Sequence, residues 1–329
     1  MSRLLYFGFT LLLLQTSTAQ NRPCTLDIPL NVLMPDTALV RGLHQGAFVA
    51  RLGNSVLDIR SVDVDTSPRR IVIVAEDGKK LNPAARKVEA TILGAVVGDT
   101  RPSDSIALLT AVGPRKELPL GTRRELLVSA IEDLSAPPRE KGEGMSTFEV
   151  VQQAVGWLQP SQPGDSIILL TMGLAPGAPG YARAREALTD GGIRLFGLQM
   201  GRIVIGTYST GIASAPGGGI MPTARVDPNT ETMFDLADET GGFFLEENTE
   251  GDPQRSYHLT EEMLQLVAKL GDQLNKGVRE YYRLRLLAPP EHYTIDLADS
   301  VREKLPKAHM VYPRKMPRCS SLDSSSPPN

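Results

Sequence analysis

Apolar residues first fall into a helix-and-strand rhythm after residue 69. "IVIVA" (71–75) is a continuous β-branched run, the pattern of a strand buried on both faces, and Asn82-Pro83 then caps and opens a helical stretch, "AARKVEATILGAVV". "DSIALLTAV" (104–112) predicts the next strand and "RRELLVSAIEDL" (123–134) the next helix. After a polar break, "STFEVVQQAVGWL" (146–158) has helical spacing, with Ser146 and Glu149 placed as a capping box. The rhythm continues through strand "DSIILLTMG" (165–173), helix "ARAREALTD" closed by Gly191, and strand "IRLFGLQMG" (193–201). It ends in helix "ETMFDLADET", closed by Gly241-Gly242, and strand "GFFLEE". Strands alternating with helices predict an α/β fold, a doubly wound and mostly parallel sheet with helices on both faces.

The flanks follow other patterns. Residues 25–66 alternate apolar and polar positions between glycine-containing turns, which predicts short strands. "LTEEMLQLVAKLGDQLNKGV" (259–278) is an amphipathic helix that leads into the strand "REYYRLRLLA" and into extended pieces near "HYTIDLA" and "AHMVYP". The segment 204–229 is longer than ordinary connections and contains Ala-Pro-Gly-Gly-Gly, a floppy composition. The organisation read from these patterns is a leader at 1–19, an N-terminal β-rich flank at 20–68, an α/β unit at 69–250, a C-terminal helix and β extension at 251–318, and a tail of disordered composition at 319–329.

The leader reads as a signal peptide. Arg3 supplies the charge, Leu4 to Leu14 an apolar stretch too short to span a bilayer, and Ser17-Thr18-Ala19 a cleavage site, so the mature chain starts near Gln20. No lipid-attachment box precedes Cys24, and no later apolar run is long enough to cross a membrane. The expectation is an exported protein, periplasmic or extracellular. The net charge of −3 and the scattered basic residues argue against nucleic acid. The two cysteines, Cys24 and Cys319, stand at opposite ends of the mature chain. In an oxidising compartment they either bridge and staple the termini, or lie in frayed tails and pair with nothing or with another molecule.

Catalytic patterns are weak. His44, His258, His292 and His309 include no pair at metal-ligand spacing, and there is neither a Gly-x-Ser-x-Gly elbow nor a phosphate-binding Gly-rich loop with Lys-Ser/Thr. Asp63/Asp65, Glu246/Glu247 and Glu261/Glu262 read as solvated acidic pairs. In an open α/β sheet, ligands bind at the carboxyl ends of the strands. There the sequence places "AEDGKK" (75–80), "GMSTFE" (144–149) and "LLTMG" (169–173).

These segments, followed by "IRLFGLQMG" and "LADETGGFFL", resemble in order the von Willebrand factor type A domains. The resemblance is to a bacterial exported subgroup, in which an N-terminal β segment ("IPLNVLMPDTALVRGLHQGAFVARLGNSVLDI") precedes the domain and a helix plus "Y-x-L" strand follows it, here "VREYYRLRLLAPP". It covers nearly the whole mature chain and implies a Rossmann-like sheet and a protein-binding module. In that family an Asp-x-Ser-x-Ser motif, a Thr and a second Asp hold a divalent cation by hard oxygen donors.

At those positions this chain has Glu76, Gly78 and Lys80, then Thr147 or Ser146, then Met172, a poor ligand for Mg²⁺. Registers slid by one residue fail as well. The expectation is a degenerate adhesion site with its metal lost and no cofactor, within a crest formed by Glu76, Asp77, Gly78, Lys79, Lys80, Ser146, Thr147 and Met172. Either the Lys80 ammonium fills the vacated cation position, held by Glu76 or Asp77, or Lys79 and Lys80 are solvated turn residues. Three functions stay open: a module that binds another protein through its crest, a scaffold that assembles with copies of itself, and an enzyme.

Overall fold

The computed structural model describes residues 24–35, 38–77, 83–137, 144–171, 178–199, 228–246, 261–288 and 293–315. Within them the chain builds two six-stranded sheets. One contains β4 (Arg70–Glu76), β5 (Ser105–Ala111), β6 (Glu117–Leu118), β7 (Ser166–Thr171), β8 (Arg194–Gln199) and β9 (Phe244–Glu246) in the order β6-β5-β4-β7-β8-β9. All its neighbours pair in parallel except β6, a two-residue antiparallel edge on β5. β4 lies at the centre because Ile71 to Ala75 are apolar on both faces and fully buried.

Helices cover both faces of this sheet. On one, α1 (Pro83–Gly98), α2 (Arg124–Leu134) and α6 (Glu261–Arg279) bury Val88, Ile92, Ile131 and Leu274 against Ile71, Ile73 and Phe196. On the other, α3 (Thr147–Trp157), α4 (Tyr181–Gly191) and α5 (Pro228–Thr240) bury Val151, Leu188 and Leu236 against Val72, Val74 and Leu195. The period-two alternation along β4 thus sends odd positions to one core and even positions to the other. The Ser146 capping box is formed: its hydroxyl accepts from the Glu149 N–H while the Glu149 carboxylate accepts from the Ser146 N–H.

The second sheet corrects the expectation that one mostly parallel sheet carries the fold. The N- and C-terminal flanks, anticipated as separate extended pieces, interleave into a fully antiparallel sheet. Its strands are β1 (Cys24–Leu33), β2 (Phe48–Leu52), β3 (Ser55–Val64), β10 (Tyr282–Ala288), β11 (Thr294–Leu297) and β12 (His309–Val311), in the order β11-β2-β3-β10-β1-β12. β1 pairs over Cys24–Leu30 with β10, Cys24 opposite Ala288 and Leu30 opposite Tyr282, and over Asn31–Leu33 with β12. Ile28, Leu30, Phe48, Leu284 and Ile295 form its core, and the short helix α7 (Asp299–Arg302) connects β11 to β12.

This sheet sits at the amino ends of the parallel strands, away from the crest. The Asn31 amide donates to the carbonyls of Gly277 (3.2 Å) and Glu280 (2.8 Å), and its oxygen accepts from Arg194, the first residue of β8. Two guanidinium groups pack over the Tyr281 ring, Arg69 at 4.3 Å and Arg194 at 4.9 Å from its centroid. Arg69 is paired to Asp65 at 2.9 Å. Arg194 is fully buried and has no carboxylate partner among the described residues, so desolvation lowers its pKa to about 9. Burial likewise pushes the Tyr281 hydroxyl up to about 12.

Candidate functional site

The carboxyl ends of β4, β5 and β7 and the start of α3 converge on one small volume. β4 delivers Glu76 and Asp77 in succession, so their side chains go to opposite faces of the sheet. Glu76 turns toward α3. Its Oε1 accepts the Thr147 hydroxyl at 2.7 Å and the Thr171 hydroxyl at 2.8 Å. Thr147 is the first residue of α3 and Thr171 the last of β7, so one carboxylate ties together three elements. All three side chains are buried.

Asp77 turns toward α1, where the Arg86 guanidinium donates to its Oδ1 at 2.6 Å. Arg86 also approaches the carbonyls of Leu134 and Ala136 at 3.4 Å, at the end of α2. One turn along α1, Glu89 is wholly buried. The backbone N–H of Glu76 offers it one favourable contact, yet neither of its oxygens completes a hydrogen bond. Its pKa is raised well above 4.5, first by desolvation and then by the charges of Glu76 and Asp77, with Arg86 offsetting only part. Gln199, at the end of β8 beside Thr171, is also buried, with both side-chain amide atoms lacking a hydrogen-bond partner among the described residues.

Above these groups the loops are packed backbone to backbone. A Cβ on Gly113 would lie 1.8 Å from the Asp77 carbonyl oxygen, and one on Gly144 2.3 Å from that of Gly113, so each close approach needs glycine. Between them Val112 takes φ 66°, a left-handed conformation that is strained for a β-branched residue, while its N–H donates to the Met145 carbonyl at 2.9 Å.

Of the residues the sequence singled out, the structure brings Glu76 and Thr147 into direct contact and places Asp77 and Ser146 beside them. Gly78, Lys79, Lys80 and Met172 lie outside the described residues, as do the leader, Asn82, residues 204–227 of the long segment, the C-terminal tail with Cys319, and the side chain of Cys24; residues 228 and 229, read as the end of that loop, are instead the first residues of α5. The reading that Glu76 or Asp77 holds the Lys80 ammonium falls on a residue outside the described ones; what the described residues do show is that Asp77 is paired to Arg86. Arg86, Glu89, Thr171 and Gln199 were missed. A signal was present for two of them: Arg86 and Glu89 fall among Ala85, Val88, Ile92 and Val96, the stripe of α1 that faces the sheet.

No family model matches the chain, and no curated protein matches it. Among solved structures the chain is similar to several, a von Willebrand factor type A protein among them. An aerotolerance-related membrane protein from Bacteroides fragilis NCTC 9343, carrying multiple mutations to serines, is 13% identical with a TM-score of 0.45, over 64% of this chain and 98% of that one. A von Willebrand factor type A protein from Catenulispora acidiphila is 10% identical with a TM-score of 0.42, over 91% and 75%. Proximal thread matrix protein 1 from the mussel byssus, with a zinc-occupied MIDAS motif, is 12% identical with a TM-score of 0.44, over 68% and 50%. Among the described residues no helix is long and apolar enough to cross a membrane.

Proposed function

We propose that this chain is an exported, non-enzymatic module of the von Willebrand factor type A kind that binds another protein through its crest without a metal ion. The observation that carries this reading is the architecture at the carboxyl ends of the parallel strands. Loops from β4, β5 and the start of α3 close over one another there, while the antiparallel sheet occupies the other end and leaves the crest uncovered by it.

Metal independence is supported by what the carboxylates already do. A divalent cation at this place requires several hard oxygen donors directed at one point. Asp77 is instead engaged by the Arg86 guanidinium, a fixed cation buried in the same site, and Glu76 has the hydroxyls of Thr147 and Thr171 on one oxygen. Among the described residues these engagements disfavour a set of oxygens converging on a divalent ion, which supports assigning binding here to protein surface alone. The same burial argues against catalysis, because Glu76, Asp77 and Glu89 are sealed from substrate.

The test is capture of partners from the native organism's envelope fraction on the immobilised mature chain, with and without chelator. Capture that survives chelator and is lost on charge reversal at Lys79 and Lys80, with an unchanged melting temperature, is expected. Capture indifferent to those substitutions, together with a solution mass that rises with concentration, would favour the self-assembling scaffold.

A further inference from the structure

Glu89 offers no surface to a partner, yet it stands at the base of the crest. It follows Arg86 by three residues on the inner face of α1 and is wholly buried, with neither carboxyl oxygen completing a hydrogen bond. Buried carboxylates are ordinarily paired or hydrogen-bonded. The charges acting on this one are Glu76 and Asp77 from β4, which oppose its ionisation, and Arg86 from its own helix, which favours it. The neighbouring surfaces add no other charge among the described residues. Lys87 on α1, Glu125, Glu132 and Asp133 on α2, and Glu261 and Lys269 on α6 are exposed, and Asp272 is paired with Lys276. Arg124 and Arg279 reach Thr100 and Asp99, past the far end of α1. Three buried carboxyl groups thus lie about one described guanidinium, which is engaged by Asp77 at 2.6 Å, and the arrangement is balanced when Glu89 carries a proton.

The crest loops are keyed to the residue that holds this guanidinium. The Asp77 N–H donates to the Ala111 carbonyl at 2.9 Å, and its own carbonyl oxygen would lie 1.8 Å from a Cβ on Gly113. Gly113 packs in turn on Gly144, and Val112 between these contacts holds its left-handed φ of 66°. Backbones in such close contact leave no slack, so a displacement of Asp77 is passed to the loop after β5 and to the approach to α3. An ionised Glu89, three residues from Arg86 on one helix, competes for the guanidinium and repels the Asp77 carboxylate.

Resting on the binding-crest reading, we propose that Glu89 is a proton-operated latch: while protonated it leaves Arg86 on Asp77 and the crest loops closed, and loss of its proton as pH rises draws Arg86 away and loosens them. The crest is therefore ordered at acidic pH and loosened at alkaline pH, and a partner that needs the ordered loops is released as pH rises.

The test uses no partner, so its failure is distinct from failure of the binding reading, which partner capture decides. Amide hydrogen exchange of the mature chain is followed by mass spectrometry from pH 5 to pH 9 in the parent, Glu89→Gln and Glu89→Met, each comparison being made at one pH. Peptides spanning 105–113 and 144–150 are expected to be equally protected in all three at pH 5. At pH 9 they should exchange roughly fivefold faster or more in the parent than in either variant, with a smaller change over β1. In the parent alone, these peptides should gain exchange more steeply with pH than those of β1, a comparison that holds even where a variant fails to fold. Equal protection of parent and variants at every pH would overturn the latch. So would a loss shared equally by β1, which marks a fall in global stability, or a crest that loosens in both variants as it does in the parent, which assigns the response to another group.

Discussion

Replacing Glu89 by glutamine converts the electrostatics beneath the crest into a measurable pH dependence. Glu89 is buried in α1 next to Glu76 and Asp77, and its pKa is raised well above 4.5 by desolvation and by those two charges. Below pH 4.5 both the folded and the unfolded chain carry this proton, and stability does not depend on it. As pH rises, the unfolded chain releases the proton while the folded chain retains it, so stability falls until the folded-state pKa is passed. Each unit in this window is worth 1.36 kcal/mol. Glutamine has nearly the same shape and does not titrate, so its own desolvation cost is constant with pH. Urea unfolding of both proteins at pH 4.5, 5.5 and 7 should therefore show Glu89→Gln gaining on the parent as pH rises, with a slope of at most about 1.4 kcal/mol per unit between the unfolded and folded pKa values. Parallel stability curves would refute the reasoning, because they would mean that Glu89 has the same affinity for a proton in the folded and unfolded chains.

Other substitutions probe the remaining contacts. Arg86→Met leaves the Asp77 carboxylate buried without its guanidinium and should cost about 4 kcal/mol in denaturant unfolding, most of which Asp77→Asn restores in the double variant. Gly113→Ala drives a methyl group into the Asp77 carbonyl and should lower stability by about 3 kcal/mol, with crest binding falling alongside. At the other end of the sheet, Asn31→Ala strips a partner from Arg194 and a donor from the carbonyls of Gly277 and Glu280, for a loss of about 3 kcal/mol. Arg194→Met should cost less than Asn31→Ala, since it removes the buried cation instead of stranding it, though the Asn31 amide oxygen and the Gly241 carbonyl then lose a donor.

What was legible in the sequence follows from range. The strand Arg70–Glu76, the helix Pro83–Gly98 and the Ser146–Glu149 capping box are set by residues within a few positions of one another, and local periodicity reads them correctly. The antiparallel sheet is set by partners at the two ends of the chain, such as Ile28 opposite Leu284, and local alternation shows only that such strands exist. At the crest, Glu76 and Thr147 could be named because each stands in a recognisable motif. The partner of Asp77 could not be, because Arg86 is nine residues away on a helix that reads as amphipathic whether or not a guanidinium faces inward. Charged residues on an apolar stripe were the available sign, and they identify a buried pair without saying what it pairs with.

The claim at the centre of this account is that the crest works without a metal ion, and calorimetric titration of the mature chain with Mg²⁺ and Mn²⁺ tests it most directly. The account predicts no saturable heat into the millimolar range, for the parent and for Glu76→Ala alike. Saturable binding by the parent that disappears in Glu76→Ala and Thr147→Ala would contradict it.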